Sequence, residues 1–242
     1  MRTGLAKTAV MVVAALGAGA IPAGAQPSGR NAPNLAACPK AKSNFGSEIQ
    51  RRKAIPVPRV WSGVVRSDLW RFAVSTFGGR TLCIDTGGIE DIEEPELSAD
   101  GRFLRYRWYG YETGGYTVVD RSGKGVEFDT GDKPAPSPSG QLAAVVQYSE
   151  AGFGSLEGFG VWHVGKPPMR ELARLSFPEG LTDWRMDGWR GENCVLLSAM
   201  RFEDMPENEG DRPKARRQPY AAVATKGKWR IVAGGKAACP RA

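Results

Sequence analysis

The sequence predicts an all-β fold that is assembled from antiparallel hairpins. From Val57 onward, short apolar runs alternate with polar positions and are separated by turn residues, which is typical of β-strands. Before that point, Ser47–Ala54 is a candidate for one or two helical turns, with Ser47 as cap and Pro56 just after the end. A serine and a glycine also recur together at a spacing of 39 residues, which indicates repeated hairpin units.

Twelve segments have the composition of strands. In one of them Leu104, Tyr106 and Trp108 share a face opposite Arg105 and Arg107, because side chains alternate along a strand. The predicted strands, in order, are Leu69–Phe77, Thr81–Asp85, Phe103–Tyr109, Tyr116–Asp120, Gly125–Phe128, Gln141–Tyr148, Phe159–Val164, Met169–Leu175, Asp183–Trp189, Cys194–Met200, Tyr220–Ala224 and Trp229–Val232.

The repeat lies at the turn before two of these strands. Ser98 aligns with Ser137, and Gly101 aligns with Gly140, while an eroded third copy begins near Asp183. A glycine tolerates the positive φ of a tight turn, and a serine can bond the turn backbone. A period near 40 residues with about four strands is the size of a propeller blade, so a small propeller-like array is predicted, with a β-sandwich as the alternative.

The repeat also carries a resemblance to a known family. Leu97-Ser98-Ala99-Asp100-Gly101-Arg102 resembles the blade motif of bacterial periplasmic propellers, including the Tol-system propeller and its WD-repeat-like relatives, over roughly Glu94–Leu175. The second copy has Ser139 where that motif has aspartate, and Val57–Asp85 lacks the motif. The segment Val146–Trp162 is similar to stretches of uncharacterised exported bacterial proteins. The resemblance implies a periplasmic β-propeller fold and no particular activity.

The first 25 residues have the pattern of a secretory signal peptide. Arg2 and Lys7 are the positive end, Thr8–Ala20 is apolar, and Ala23–Ala25 ends in a small-x-small cleavage site. We therefore expect a periplasmic or secreted protein, with an uncleaved anchor as the alternative. The predicted organisation is a signal peptide at 1–25, an extension with a short helical turn at 26–56, and a β-rich domain at 57–242.

Four cysteines follow the signal: Cys38, Cys83, Cys194 and Cys239. An even number in an oxidising compartment predicts two disulfides. Either each end of the chain is tied to its nearest strand, which we favour, or the two ends are joined to each other. Leu35–Cys38 also spells a lipobox, but polar residues and prolines separate it from the apolar run, so we interpret the match as chance.

Charge and motifs exclude several kinds of function. The net charge of +7 falls to +5 without Arg2 and Lys7, a mild surplus that does not require nucleic acid as a partner. The spacings contain no Cys-x-x-Cys pair and no phosphate loop, so no cofactor or metal is predicted. His163 is the only histidine, and it is predicted to lie in a strand. No catalytic residue is assigned, and an enzyme is the less favoured interpretation.

We therefore predict an exported envelope protein that acts as a non-catalytic binding module for a protein or glycan partner. Its loops Gly152–Gly158 and Asp204–Arg217 would carry contacts. The alternative is an envelope hydrolase of glycan or peptide that uses His163 or carboxylates in the run Glu90–Glu96, which we expect to be a solvated loop. The candidate contact surface, where tryptophans alternate with arginines, is Trp184, Arg185, Trp189, Arg190, Trp229 and Arg230.

Overall fold

The computed structural model describes residues 32–40, 54–149 and 152–240. The predicted signal peptide and all but the last residue of the predicted helical turn Ser47–Ala54 lie outside these residues. In the described residues the regular elements are fifteen β-strands and five short 3-10 helices. The predicted all-β class is therefore confirmed.

The strands form four antiparallel sheets, and each sheet uses strands that are consecutive in the chain. Sheet 1 has β1 (Val65–Ser67), β2 (Arg71–Ser75) and β3 (Thr81–Asp85). Sheet 2 has β4 (Asp91–Leu97), β5 (Phe103–Gly110), β6 (Thr113–Asp120) and β7 (Val126–Asp129). Sheet 3 has β8 (Ala135–Pro136), β9 (Leu142–Gln147), β10 (Gly158–His163) and β11 (Arg170–Leu175). Sheet 4 has β12 (Leu181–Trp189), β13 (Cys194–Arg201), β14 (Gln218–Thr225) and β15 (Lys228–Ala233).

The 3-10 helices lie at the chain ends and in loops. They are Leu35–Ala37, Arg59–Trp61, Phe202–Asp204, Glu209–Lys214 and Gly235–Ala238. Within the part of the chain that is described, no helix is long and apolar enough to cross a bilayer.

Three hydrophobic cores join the sheets in chain order. Trp61, Phe72 and Tyr106 meet edge to face between sheets 1 and 2, with ring centroids 5.7–6.2 Å apart. Tyr116 of sheet 2 belongs to the core that holds Trp162 of sheet 3, and a further core joins sheets 3 and 4. Side chains alternate between the two faces of a strand, so the inner sheets bury apolar residues on both faces.

The two end sheets are each covered by a terminal segment that a disulfide holds in place. Cys38, next to the first 3-10 helix, bonds to Cys83 of β3, and Cys194 of β13 bonds to Cys239, next to the last one. Each pair is separated by 45 residues in the chain. These are the pairings of each chain end with its nearest strand. Since the Cys38 sulfur is bonded to Cys83, it is not the acceptor of a lipid.

The repeated turn has the same geometry in both copies. Gly101 and Gly140 both have a φ of +68°. The Ser98 Oγ accepts the Phe103 N–H at 2.8 Å, and the Ser137 Oγ accepts the Leu142 N–H at 3.1 Å. The repeat therefore corresponds to the turn between the first and second strands of sheets 2 and 3, which agrees with repeated antiparallel units in a propeller-like or sandwich arrangement.

The acidic run Glu90–Glu96 is almost entirely a strand, so the prediction of a loop is wrong, whereas the predicted exposure to solvent holds for Asp91, Glu93 and Glu94. β4 is an edge strand of sheet 2 and pairs with β5. The pairing shifts register between Glu93 and Glu96, where Glu94 has a φ of +49° beside Pro95. Because β4 has few apolar side chains, its conformation follows from pairing with β5 and not from its own pattern.

A buried ion pair ties sheet 2 to sheet 3. The Asp120 side chain is completely buried and accepts from Arg102 at 2.8 and 3.1 Å. Arg102 also donates to the Val164 carbonyl oxygen at 2.9 Å, and the Met169 N–H donates to Asp120 at 2.6 Å. Burial alone would raise the pKa of Asp120, but these hydrogen bonds outweigh it and lower the pKa.

Candidate functional site

A groove of about 460 Å³ lies where one end of sheet 2 meets sheet 3. It is lined by residues 107, 109 and 110 of β5, residues 112–115 of the β5–β6 turn and β6, residues 131–132, residues 147–149, and residues 153–154. Five of these residues are glycines, so we call it the glycine groove. Its volume is within the range of pockets that hold small ligands or short chain segments.

Two of the glycines in the groove lining are required by tight packing within the protein. A Cβ atom at Gly115 would lie 2.6 Å from the Ser155 Oγ and 2.7 Å from the Trp108 ring. Gly131 has a φ of +75°, and a Cβ there would lie 2.5 Å from Leu156. Glycine is therefore needed at both positions because Ser155, Trp108 and Leu156 pack against the backbone there, so the two residues fix the shape of the groove through contacts within the protein.

Gln147, at the end of β9, holds the walls of the glycine groove together. Its Nε2 donates to the carbonyl oxygens of Gly131 at 3.0 Å and Gly114 at 3.3 Å. Its Oε1 accepts the Leu156 N–H at 2.6 Å. One amide thus joins three separate chain segments, so it is a positioning residue for the groove.

The glycine-rich loop after β9 is fixed on β6 and presents Phe153 at the rim. The Thr113 Oγ1 donates to the Phe153 carbonyl oxygen at 2.7 Å, and Gly114 pairs with Gly154 in a parallel bridge. The Glu157 carboxylate accepts the Gly154 N–H at 2.6 Å. All of these contacts lie within the protein, so the described part of the loop is held in place by its own chain.

Aromatic side chains are exposed at the groove. Tyr109 is 42% exposed and Phe153 is 52% exposed, and both line the groove. Tyr111, two residues beyond Tyr109, is 68% exposed. Exposed rings beside a concave surface are typical of sites that bind sugars or peptides, because the rings bury a large area at small entropic cost.

Carboxylates neutralise Arg107, which lines the groove. Asp132 accepts from its guanidinium at 2.7 Å, and Glu94 lies 3.8 Å away. Partial burial lowers the pKa of Arg107, but the hydrogen bond and charge of Asp132 outweigh this effect and raise the pKa. The Tyr109 hydroxyl donates to Glu93 at 3.3 Å, so β4 carboxylates lie beside the groove.

The tryptophans and arginines of the predicted contact surface do not form an exposed aromatic face. Trp184 is 4% exposed and stacks on Phe177 with centroids 4.5 Å apart, and Trp229 is 9% exposed. Both rings belong to the core between sheets 3 and 4, which Trp189 also contacts. These rings are too buried to stack on a ligand.

The arginines of the same prediction lie around sheet 4. Arg185 pairs with Asp183 at 2.8 Å, and Arg190 donates to the Lys236 carbonyl oxygen at 2.8 Å. Arg230 is exposed on β15. The three arginines therefore make contacts at the surface and loops of sheet 4, and none of them lines the glycine groove.

The loop Asp204–Arg217 lies at sheet 4. Phe202, just before it, is 71% exposed, and Arg217 at its end pairs with Asp183 at 2.6 Å. The loop contains the helix Glu209–Lys214 and has a fixed base. It does not line the glycine groove, whereas the second predicted loop, Gly152–Gly158, supplies Phe153 and Gly154.

The residues of the hydrolase alternative are spread over two sheets. His163 pairs with Leu142 and Arg170 in sheet 3, and the carboxylates of the acidic run lie on β4 of sheet 2. Among residues 32–40, 54–149 and 152–240, no three His, Cys, Asp or Glu side chains are placed to hold a metal ion.

Sequence analysis missed Tyr109 and Gln147. Tyr109 lies on the same face of β5 as Arg105 and Arg107, opposite Trp108. An aromatic residue on the polar face of a strand was the signal that could have indicated it. No local signal marks Gln147, because its hydrogen-bond partners come from three segments distant in the chain.

Comparison with known proteins gives little similarity. No protein-family model matches the chain, and no curated protein matches its sequence. One similar solved structure is TolB from Acinetobacter baumannii, with a TM-score of 0.29 and 13% sequence identity over 66% of this chain. The chain spans 36% of the length of that TolB chain. The fold of this chain is therefore defined by its own four antiparallel sheets.

Proposed function

We propose that this protein is an exported, non-catalytic binding module of the bacterial envelope that holds a short segment of a peptide or glycan in the glycine groove. The observation that carries the proposal is the groove itself, with a glycine-rich lining and the exposed rings of Tyr109 and Phe153 at its rim. The two disulfides support a protein that works in an oxidising compartment.

The arrangement suits binding for a physical reason. Gln147 and Glu157 hold the walls by hydrogen bonds within the protein, so little ordering remains to oppose association. The rings can cover the faces of a sugar or a side chain, while the exposed carboxylate of Glu112 in the lining can accept hydrogen bonds from it. Specificity would then come from the rim and affinity from the area that the rings bury.

Arrays of defined glycans and defined peptides test this function. The chain without residues 1–25, in its oxidised form, is compared with the variants Tyr109→Ala and Phe153→Ala. The control is Phe202→Ala, which removes an exposed ring from the 3-10 helix after β13 instead of the groove. Each groove variant should weaken a specific signal at least about tenfold, equal to about 1.4 kcal/mol, and the control should leave it unchanged.

Two results would contradict the proposal. One is the absence of any specific glycan or peptide signal with folded, oxidised protein. The other is a specific signal that both groove variants retain. Thermal unfolding of each variant, followed by circular dichroism, separates loss of binding from loss of folding.

A further inference from the structure

We infer that the ligand of the glycine groove is an extended cationic peptide. This inference rests on the proposed function, because it assigns a chemistry to the same site. It is carried by a reversal of charge: the whole chain has a net charge of +7, yet the surroundings of the groove are acidic.

The groove lining shows the first part of this imbalance. Among the described residues of the lining, the charged side chains are those of Arg107, Glu112 and Asp132. The Arg107 charge is already satisfied, with Asp132 at 2.7 Å and Glu94 at 3.8 Å. An anionic ligand would have to displace these carboxylates, whereas a cationic ligand would find Glu112 without a competing cation in the lining.

β4 adds further negative charge beside the groove. In the register of sheet 2, Asp91 is opposite Tyr109 and Glu93 is opposite Arg107. Directly opposed residues of neighbouring strands project to the same face, so both carboxylates lie on the groove side of the sheet. Both residues are exposed. Like charges gathered on one surface repel one another, and a cationic ligand relieves that repulsion.

The exposed rings also favour a cation. An ammonium or guanidinium group is attracted to the face of a tyrosine or phenylalanine ring. Tyr109 and Phe153 border the groove and Tyr111 follows on the turn, with 42%, 52% and 68% of their surfaces exposed. Carboxylates and rings together form the kind of surface that recognises lysine or arginine side chains.

The shape of the groove favours a peptide over a compact amine. The lining is rich in glycine, and Asp91 and Glu93 occupy successive same-face positions of β4, opposite Tyr109 and Arg107 of the lining, instead of converging on one point. A chain with several spaced cations can meet Glu112, Glu93 and Asp91 together. A small amine can meet only one or two of them.

Fluorescence anisotropy with two labelled nonapeptides tests the inference. One peptide contains four lysines spaced by glycine and tyrosine, and the other has glutamates in place of the lysines. The oxidised chain without residues 1–25 should bind the lysine peptide at least about tenfold more tightly, and the affinity should fall as salt is raised.

Variants then locate the binding. Glu112→Gln and Asp91→Asn should each weaken binding of the lysine peptide by about two- to fivefold, as expected for exposed charge pairs. Glu203→Gln, an exposed carboxylate on the helix after β13, is the matched control and should change nothing. Equal binding of the two peptides, or equal affinity in all three variants, would overturn the inference.

Other outcomes separate the inference from the proposed function. If a neutral glycan or an acidic peptide binds and depends on Tyr109 and Phe153, the groove is a binding site but the cationic assignment is wrong. If spermidine binds as tightly as the lysine peptide, the assignment to a peptide is wrong. If no ligand depends on Tyr109 or Phe153, both proposals fail.

Discussion

Removing either disulfide should destabilise the protein by about the same amount, because the two closed loops are equally long. The variants are Cys38→Ala with Cys83→Ala, and Cys194→Ala with Cys239→Ala, and each pair is separated by 45 residues. For a loop of this length the lost constraint on the unfolded chain amounts to about 13 cal/mol/K, or about 4 kcal/mol at 25 °C.

The two variants should differ only through the native contacts of the cysteines. Cys194 and Cys239 belong to a buried cluster with Ala221 and Val223, and they are 1% and 8% exposed. Cys38 is 6% exposed and Cys83 is half-buried. The C-terminal variant should therefore lose about 1 kcal/mol more than the N-terminal one, from the cavity that the truncated side chains leave.

Urea unfolding, followed by tryptophan fluorescence and by far-ultraviolet circular dichroism, measures both losses. For a protein of this size, a loss of 4 kcal/mol corresponds to a fall in Tm of about 8–16 °C. Each variant is the control for the other, since the loop term cancels in their difference. A loss below about 1 kcal/mol in either variant, with coincident transitions of both probes, would refute the chain-constraint argument.

Three further changes probe individual contacts. Asp120→Asn should cost about 3–5 kcal/mol by leaving Arg102 without its buried partner. Because folding lowers the pKa of Asp120, its stabilisation is present above the ordinary aspartate pKa and is lost as the pH falls through the lowered value. The free energy of unfolding of Asp120→Asn should therefore decrease less steeply with falling pH than that of the unmodified protein. An unchanged slope at acidic pH would contradict this role of Asp120. Gly140→Ala should cost about 1–2 kcal/mol from its φ of +68° alone, since a Cβ there meets no atom within 4 Å, and a neutral result in urea unfolding would show that the turn relaxes. Gln147→Ala should lower the free energy of unfolding by about 1–3 kcal/mol and weaken ligand binding on the arrays. Gln147→Glu should not restore either property, because a carboxylate cannot donate to the Gly114 and Gly131 carbonyl oxygens. Ligand binding that neither change affects would contradict the positioning role of Gln147.

The sequence was sufficient to predict strands in which apolar and polar side chains alternate. β5 was predicted because Leu104, Tyr106 and Trp108 occupy every second position, and the structure buries Leu104 and Tyr106 almost completely. The repeated turn was predicted because Gly101 and Gly140 must supply a positive φ. In both cases the physical cause lies within a few consecutive residues.

Elements that depend on distant neighbours could not be predicted in this way. β4 carries five carboxylates or prolines in seven residues, and only its pairing with β5 makes it a strand. Trp184 has the same local pattern whether it faces water or sheet 3, so its burial could not be inferred. The glycine groove was missed for the same reason, because its walls come from three parts of the chain.

The edge strand β4 of sheet 2 has a consequence for self-association. An edge strand normally offers unpaired N–H and carbonyl groups to another strand. In β4, Pro95 has no N–H, and the register shift after Glu93 interrupts the regular spacing of hydrogen-bonding groups that a pairing strand would need. Two copies of the protein should therefore not pair edge to edge through β4. A peptide ligand beside β4 must therefore be recognised through side chains, so the amino-acid composition of the ligand would matter more than its ability to adopt a β conformation.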